Sequence, residues 1–80
     1  MSDSARADQL RSALAQTFEV DTLDDEFPLA GRWDSLAVLS IIAAIDETYD
    51  VAVTAKELAN TATVADLFTL IANKVSNTRA

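Results

Sequence analysis

The chain has 80 residues, half of them apolar, which is room for one domain (residues 1–80) with a limited core and too apolar for a disordered chain. Its formal net charge of −7 makes nucleic acid and anionic membranes poor partners. With no Cys and no His, neither a disulfide framework nor a thiolate metal site is available, and the commonest general base and zinc ligand are missing.

The first predicted element is a helix from about Ser4 to Phe18, with Leu10, Ala13, Leu14, Thr17 and Phe18 on one face at i, i+3, i+4 spacing. A connection from Glu19 to Trp33 follows and holds the single Pro and the single Gly. It also carries Val20, Leu23, Phe27 and Leu29, so it is expected to pack across the bundle; its length points to a function or to a short helical turn within it. The second helix is expected from Ser35 to Tyr49, with Val38, Ile41, Ile42, Ile45 and Tyr49 turned inward at about 100° per residue. Thr54-Ala55-Lys56-Glu57 reads as a capping box that opens a short third helix. A similar cap, Thr63-Val64-Ala65-Asp66, opens a fourth whose face is Val64, Leu67, Phe68, Ile71 and Val75. Val51-Ala52-Val53 is too short to count as a strand, and one Gly and one Pro are too few for an all-β fold. The expected architecture is all-α, a small four-helix bundle of three longer helices and one short one.

The charge is unevenly placed. Residues 19–57 hold ten acidic side chains against Arg32 and Lys56, a local −8, while the two ends together carry +1. Such a field either keeps a small protein dissolved or steers it towards basic patches on other proteins. The longest nearly apolar run, Leu36 to Ile45, falls short of the ~20 residues that span a bilayer. The polar start Met1-Ser2-Asp3-Ser4 lacks the order of a signal peptide, so the expected location is cytoplasmic. Asp21, Asp24, Asp25 and Glu26 lack the spacing and turn glycine of a calcium loop and read as a solvated acidic stretch; no metal site is expected.

Asp34-Ser35-Leu36 sits where the long connection meets the second helix. A serine there lies beside amide groups without intrahelical partners and at the positive end of the helix dipole, where a phosphate would be stabilised. Either Asp34 or Ser35 could equally be a plain helix cap. With Val38, Ile41, Ile42, Ile45 and Tyr49 inward, Leu36, Leu39, Ser40, Ala43 and Glu47 fall outward. Leu36, Leu39 and Ala43 beside Asp46 and Glu47 then form an apolar centre with an acidic rim, a form suited to docking.

The run Gly31-Arg32-Trp33-Asp34-Ser35-Leu36, with Ile41-Ile42-Ala43-Ala44-Ile45-Asp46-Glu47-Thr48-Tyr49-Asp50-Val51, resembles the acyl carrier protein family, and the likeness extends through Val53, Glu57 and Thr63-Val64 to Ile71. The resemblance implies a carrier and not an enzyme, with no catalytic residue of its own. A phosphopantetheinyl transferase would attach 4′-phosphopantetheine from coenzyme A to Ser35, with Asp34 helping that enzyme engage. The arm's thiol would hold an acyl or aminoacyl cargo as a thioester, and the outer face of the second helix, from Leu36 to Glu47, would meet loading and processing enzymes. The protein is expected to act as a monomer. The resemblance, together with a core built largely from aliphatic side chains, also implies a cavity or expandable seam inside the bundle, lined by residues such as Phe27, Ile41, Ile45 and Leu67. Carriers of this kind serve fatty-acid, polyketide and nonribosomal-peptide synthesis. Fatty-acid carriers place acids along the outward side soon after the serine; here Ala37, Ser40 and Ala44 are assigned to that side and the acids begin at Asp46. That departure, with Trp33 before the Asp, points to a specialised pathway, although Trp33 also reads as a core plug. The alternative is an unmodified acidic helical interaction module of the same fold, for which a serine at position 35 has no evident use.

Overall fold

The computed structural model describes residues 3–21 and 23–79, and the side chains of residues 5–21 and 23–76. Four helices follow in chain order: α1 (Asp3–Phe18), α2 (Ser35–Tyr49), α3 (Ala55–Ala59) and α4 (Val64–Arg79). The all-α architecture and the three-long, one-short pattern are those expected from the sequence.

Local chemistry sets the helix ends. Beyond α1, Glu19 takes a left-handed φ of 58°. Its N–H donates to the Gln16 carbonyl at 3.3 Å and that of Val20 to the Ala15 carbonyl at 2.9 Å. This is a Schellman closure with Glu where Gly is usual. α2 also ends on a left-handed residue, Asp50 at φ 57°, but by the simpler single bond from its N–H to the Asp46 carbonyl. α3 opens on the expected capping box: Glu57 N–H donates to Thr54 Oγ1 at 3.1 Å, and Thr54 N–H donates to Glu57 Oε1 at 2.9 Å. For α4, Asp66 N–H donates to Thr63 Oγ1 at 3.3 Å, while the Asp66 carboxylate reaches back to Ala62 N–H at 3.1 Å.

The core draws one or more side chains from every element: Leu10 and Leu14 of α1, Ile41 and Ile45 of α2, Leu58 of α3, and Val64, Leu67 and Ile71 of α4. Val51 and Val53 complete it from the α2–α3 connection, where alternate side chains face in and out. The 19–33 connection joins the bundle, as its apolar residues require. Leu29 is wholly buried, and Leu23, Phe27 and Trp33 pack against the core. No helical turn forms among its described residues; turns close at Asp24–Phe27 and Leu29–Arg32, each by an i to i+3 hydrogen bond. Gly31, third in the second turn, has a φ of 79°, the conformation that favours glycine at this position of a type II turn.

Hydrogen bonds sew this connection to the start of α4. Leu29 N–H donates to the Ala62 carbonyl at 2.7 Å, Val64 N–H to the Phe27 carbonyl at 3.1 Å and Ala65 N–H to the Asp25 carbonyl at 2.9 Å. Arg11 of α1 adds a clamp: it donates to the Leu23 carbonyl at 3.2 Å, pairs with Asp25 and lies over the Phe68 ring, 4.9 Å from its centroid. The acidic stretch is therefore partly engaged in structure, since Asp24 also accepts from Glu26 N–H.

One expectation needs correction. Ala37, assigned outward, is 5% exposed, and Ala44 packs against the core, whereas Val38, Ile42 and Tyr49 are only half-buried. The buried arc of α2 is centred near Ile41 and turned by roughly half of one 100° residue step towards the small side chains. Ala37 shares a stripe with Ala44 and Thr48, and the latter two line a groove with Gln9, Ser12, Ala13 and Gln16 of α1. Small residues on that stripe let α1, the main helical partner of α2, approach closely. Of the residues expected to line a seam inside the bundle, Ile41, Ile45 and Leu67 are wholly buried in the core cluster and Phe27 packs against it. A groove of about 520 Å³ lies elsewhere, between α1 and α4, lined by Arg6, Ala7, Tyr49, Phe68, Ile71 and Val75 among others. Tyr49 places it at the end of α2 remote from Ser35.

Candidate functional site

Residues 33–36 join the long connection to α2, and each takes a different part. Asp34 is the N-cap, with extended backbone (φ −85°, ψ 175°). Its carboxylate accepts from Ala37 N–H at 2.8 Å, and its carbonyl accepts from Val38 N–H at 2.9 Å to start the helical ladder. The two capping readings open in the sequence are thus resolved: the cap is Asp34. Ser35 is the first residue of α2, exposed, and its hydroxyl makes no hydrogen bond among the described residues. The N–H groups of Ser35 and Leu36, at the first two helical positions, precede the intrahelical ladder.

That arrangement suits a phosphate ester. A nucleophilic oxygen stands free in solvent, beside two amide donors and at the positive end of a 15-residue helix. No acid lies in the first turn of α2 to oppose a negative charge, and the nearby Asp34 carboxylate is occupied by the Ala37 amide. The donor set therefore fits a phosphodiester on Ser35.

The outward residues of α2 fall as the spacing predicts. Leu36 is 74% and Leu39 66% exposed, the only large hydrophobic side chains so exposed among the described residues. Ser40, Ala43, Asp46 and Glu47 are exposed with them. The first two turns thus present Leu36, Leu39, Ser40 and Ala43 without a charge, and the acids follow at the far end. Of the residues assigned outward as uncharged, Ala37 and Ala44 leave this surface and Ser40 stays on it.

Trp33 packs as a plug. Its ring meets Phe18 edge-on, with centroids 5.6 Å apart, and Phe18 meets Phe27 at 6.3 Å. Its indole N–H donates to Thr61 Oγ1 at 3.2 Å, and Thr61 Oγ1 donates in turn to the Leu58 carbonyl at 2.6 Å. Sequence reasoning passed over Thr61, which is 5% exposed. Its partner lies 28 residues away, and no periodicity carries that signal.

At the α3–α4 seam, Lys74 Nζ lies 2.6 Å from Glu57 Oε2. The Lys74 hydrogen bond first, then the Thr54 amide, holds the Glu57 carboxyl below its ordinary value of 4.5. Among the described residues no group of three or more acidic side chains converges on a point that could hold a metal ion, and no helix is long and apolar enough to cross a membrane.

A family model described as a phosphopantetheine attachment site matches residues 8–71. Among solved structures, the chain is similar to a holo acyl carrier protein from Geobacter metallireducens determined by solution NMR. The two share 26% identity and a TM-score of 0.65, over 92% of this chain and 90% of that one. No curated protein matches the sequence significantly.

Proposed function

This chain belongs to the acyl carrier protein family, whose prosthetic group is covalent 4′-phosphopantetheine and whose members are carriers and not enzymes, and from that premise we propose that Ser35 is its attachment residue. The observation that supports the reading is the division of labour at the start of α2. Asp34 does the capping, so the exposed Ser35 hydroxyl has no structural task.

In the proposed modification Ser35 loses its hydroxyl proton to a base of the transferase, since this chain has no His. Ser35 Oγ then bonds to the phosphorus that bears pantetheine in coenzyme A. The bond from that phosphorus to the bridging oxygen breaks, and adenosine 3′,5′-bisphosphate leaves with the electron pair. The amides of Ser35 and Leu36 and the α2 dipole face the resulting phosphodiester. The attached arm supplies a thiol, absent from the chain itself, on which an acyl or aminoacyl cargo is held as a thioester.

The exposed Leu36, Leu39 and Ala43, with Asp46 and Glu47 beyond them, form the proposed docking face for the transferase and for loading and processing enzymes. The uncharged first two turns, with acids only from Asp46, support service in a specialised biosynthetic pathway over bulk fatty-acid synthesis. The protein is read as a cytoplasmic monomer that delivers its cargo to each enzyme in turn.

The test is the intact mass of the protein purified from its native cells. A mass raised by one phosphopantetheine, with or without an acyl increment, on the peptide that contains Ser35 is the expected result. A wholly unmodified population from cells making the pathway's product would favour an interaction module that keeps the fold without the arm.

A further inference from the structure

The residue two positions before Ser35 is tied to a distant part of the chain by a continuous run of hydrogen bonds. The Trp33 indole N–H donates to Thr61 Oγ1, and that hydroxyl donates to the Leu58 carbonyl at the end of α3. Thr61 N–H reinforces the same carbonyl at 2.9 Å. The hydroxyl uses its single proton on Leu58 and a lone pair on Trp33, so both its roles are fixed, and bonds in such a run polarise one another. The other edge of Trp33 is held by Phe18 at the end of α1. The backbone entering Asp34-Ser35 is thereby fastened to α1 on one side and to the α3–α4 connection on the other. Ser35 itself is the first residue of α2, and its exposed hydroxyl makes no hydrogen bond among the described residues.

We propose that Trp33 and Thr61 are positioning residues for Ser35. Their hydrogen bond holds the start of α2 in the orientation in which the serine hydroxyl meets the transferase, and so couples the α3–α4 connection to the modification site. The proposal rests on the reading of Ser35 as the attachment residue. Physically, the bond biases an equilibrium between a presented and a displaced start of α2. When only a fraction of molecules is competent, apparent affinity falls by that fraction while the bound complex reacts as before. Loss of one neutral hydrogen bond corresponds to about a two- to tenfold change in such an equilibrium.

The test compares wild-type protein with Trp33→Phe, Thr61→Val and Thr61→Ser, at a temperature where circular dichroism shows all four folded. Phe keeps the ring beside Phe18 but has no N–H; Val keeps the shape of Thr61 but has no acceptor; Ser keeps the hydroxyl. With coenzyme A and a broad-specificity phosphopantetheinyl transferase, Trp33→Phe and Thr61→Val should raise the KM for the carrier, by up to about tenfold, with kcat retained, and Thr61→Ser should restore it. A wild-type KM in either of the first two variants, or no rescue by Ser, would overturn the proposal. A second readout needs no modification at all: the backbone amide NMR shifts of Ser35 and Leu36 should move in Thr61→Val and return in Thr61→Ser. Unmoved shifts would overturn the coupling. Failure of the wild-type protein to accept the arm would instead count against the Ser35 reading, with the amide shifts still deciding the coupling.

Discussion

Ile45 lies on the α2 core face with no exposed surface, in the cluster that also includes Ile41 and Leu67. Truncating it to Ala removes buried methyl and methylene groups and leaves a cavity that close packing fills only in part. Ile45→Ala should therefore cost about 2–5 kcal/mol, read from urea unfolding followed by circular dichroism. A loss below about 1 kcal/mol would mean that this site collapses freely and that the core is looser than its burial indicates. Glu57 offers a test of opposite kind, through charge. Its carboxyl is held below the ordinary value, chiefly by Lys74, so the folded state binds that proton more weakly than the unfolded chain does. The stability it contributes is fully present above 4.5, the ordinary carboxyl value, and is lost as pH falls through the lowered folded value. Glu57→Gln should flatten part of the decline of Tm on acidification below about pH 4.5. An unchanged acid limb in the variant would show that the Lys74 contact is not held in solution. The Thr54–Glu57 box was legible in advance because it is local chemistry, and the same chemistry narrowed the α2 cap to Asp34 or Ser35 without choosing between them. Thr61 and Arg11 were not legible. Their partners lie 28, 12 and 14 residues away, and only the folded chain brings them together.

At the scale of the element, α2 has three faces with three tasks. Ile41 and Ile45 enter the core, Ala37, Ala44 and Thr48 lie towards α1, and Leu36, Leu39 and Ala43 stand in solvent. Apolar spacing revealed the helix and its outer face but misjudged the rotation, because Val and Ile outweigh Ala in any hydrophobic pattern while helix–helix approach favours the smaller side chain. The outer face yields a pair of contrasting outcomes. Replacing Asp46 and Glu47 together with Lys should slow association with a transferase bearing a basic entrance and lessen its salt dependence. Replacing Leu36 or Leu39 with Asp should act chiefly through faster dissociation, with stability changed by no more than about 0.5 kcal/mol. Stopped-flow binding at several salt concentrations separates the two effects, and circular dichroism controls for folding. Loss of helicity in the Leu variants would show that those leucines support the fold and would remove them from the docking face.

Over the whole molecule, the sequence pattern was sufficient for four helices, their order and the packing of the long connection, since each of those follows from apolar spacing, caps and a need to bury Leu23, Phe27 and Leu29. The pattern could not say where space would remain between helices. Ile41, Ile45 and Leu67, the residues expected beside a seam, are wholly buried, while an open groove that no stripe announced lies between α1 and α4, because groove position depends on how whole helices are inclined and not on any one stripe. The resulting body presents the exposed Ser35 hydroxyl at the start of α2, a small apolar patch beside it and acidic side chains beyond. On the proposed reading these are the groups that are modified and recognised; the chain has no His or Cys, the side chains most used for catalysis.

The central claim is that Ser35 carries the arm, and intact-mass spectrometry of apo protein incubated with coenzyme A and a broad-specificity phosphopantetheinyl transferase tests it most directly. Wild-type protein should gain the mass of a single phosphopantetheine, and Ser35→Ala should gain none while keeping its helical circular dichroism, because Asp34 and not Ser35 caps α2. A Ser35→Ala protein that still takes up the arm would contradict the assignment and move the attachment to another hydroxyl.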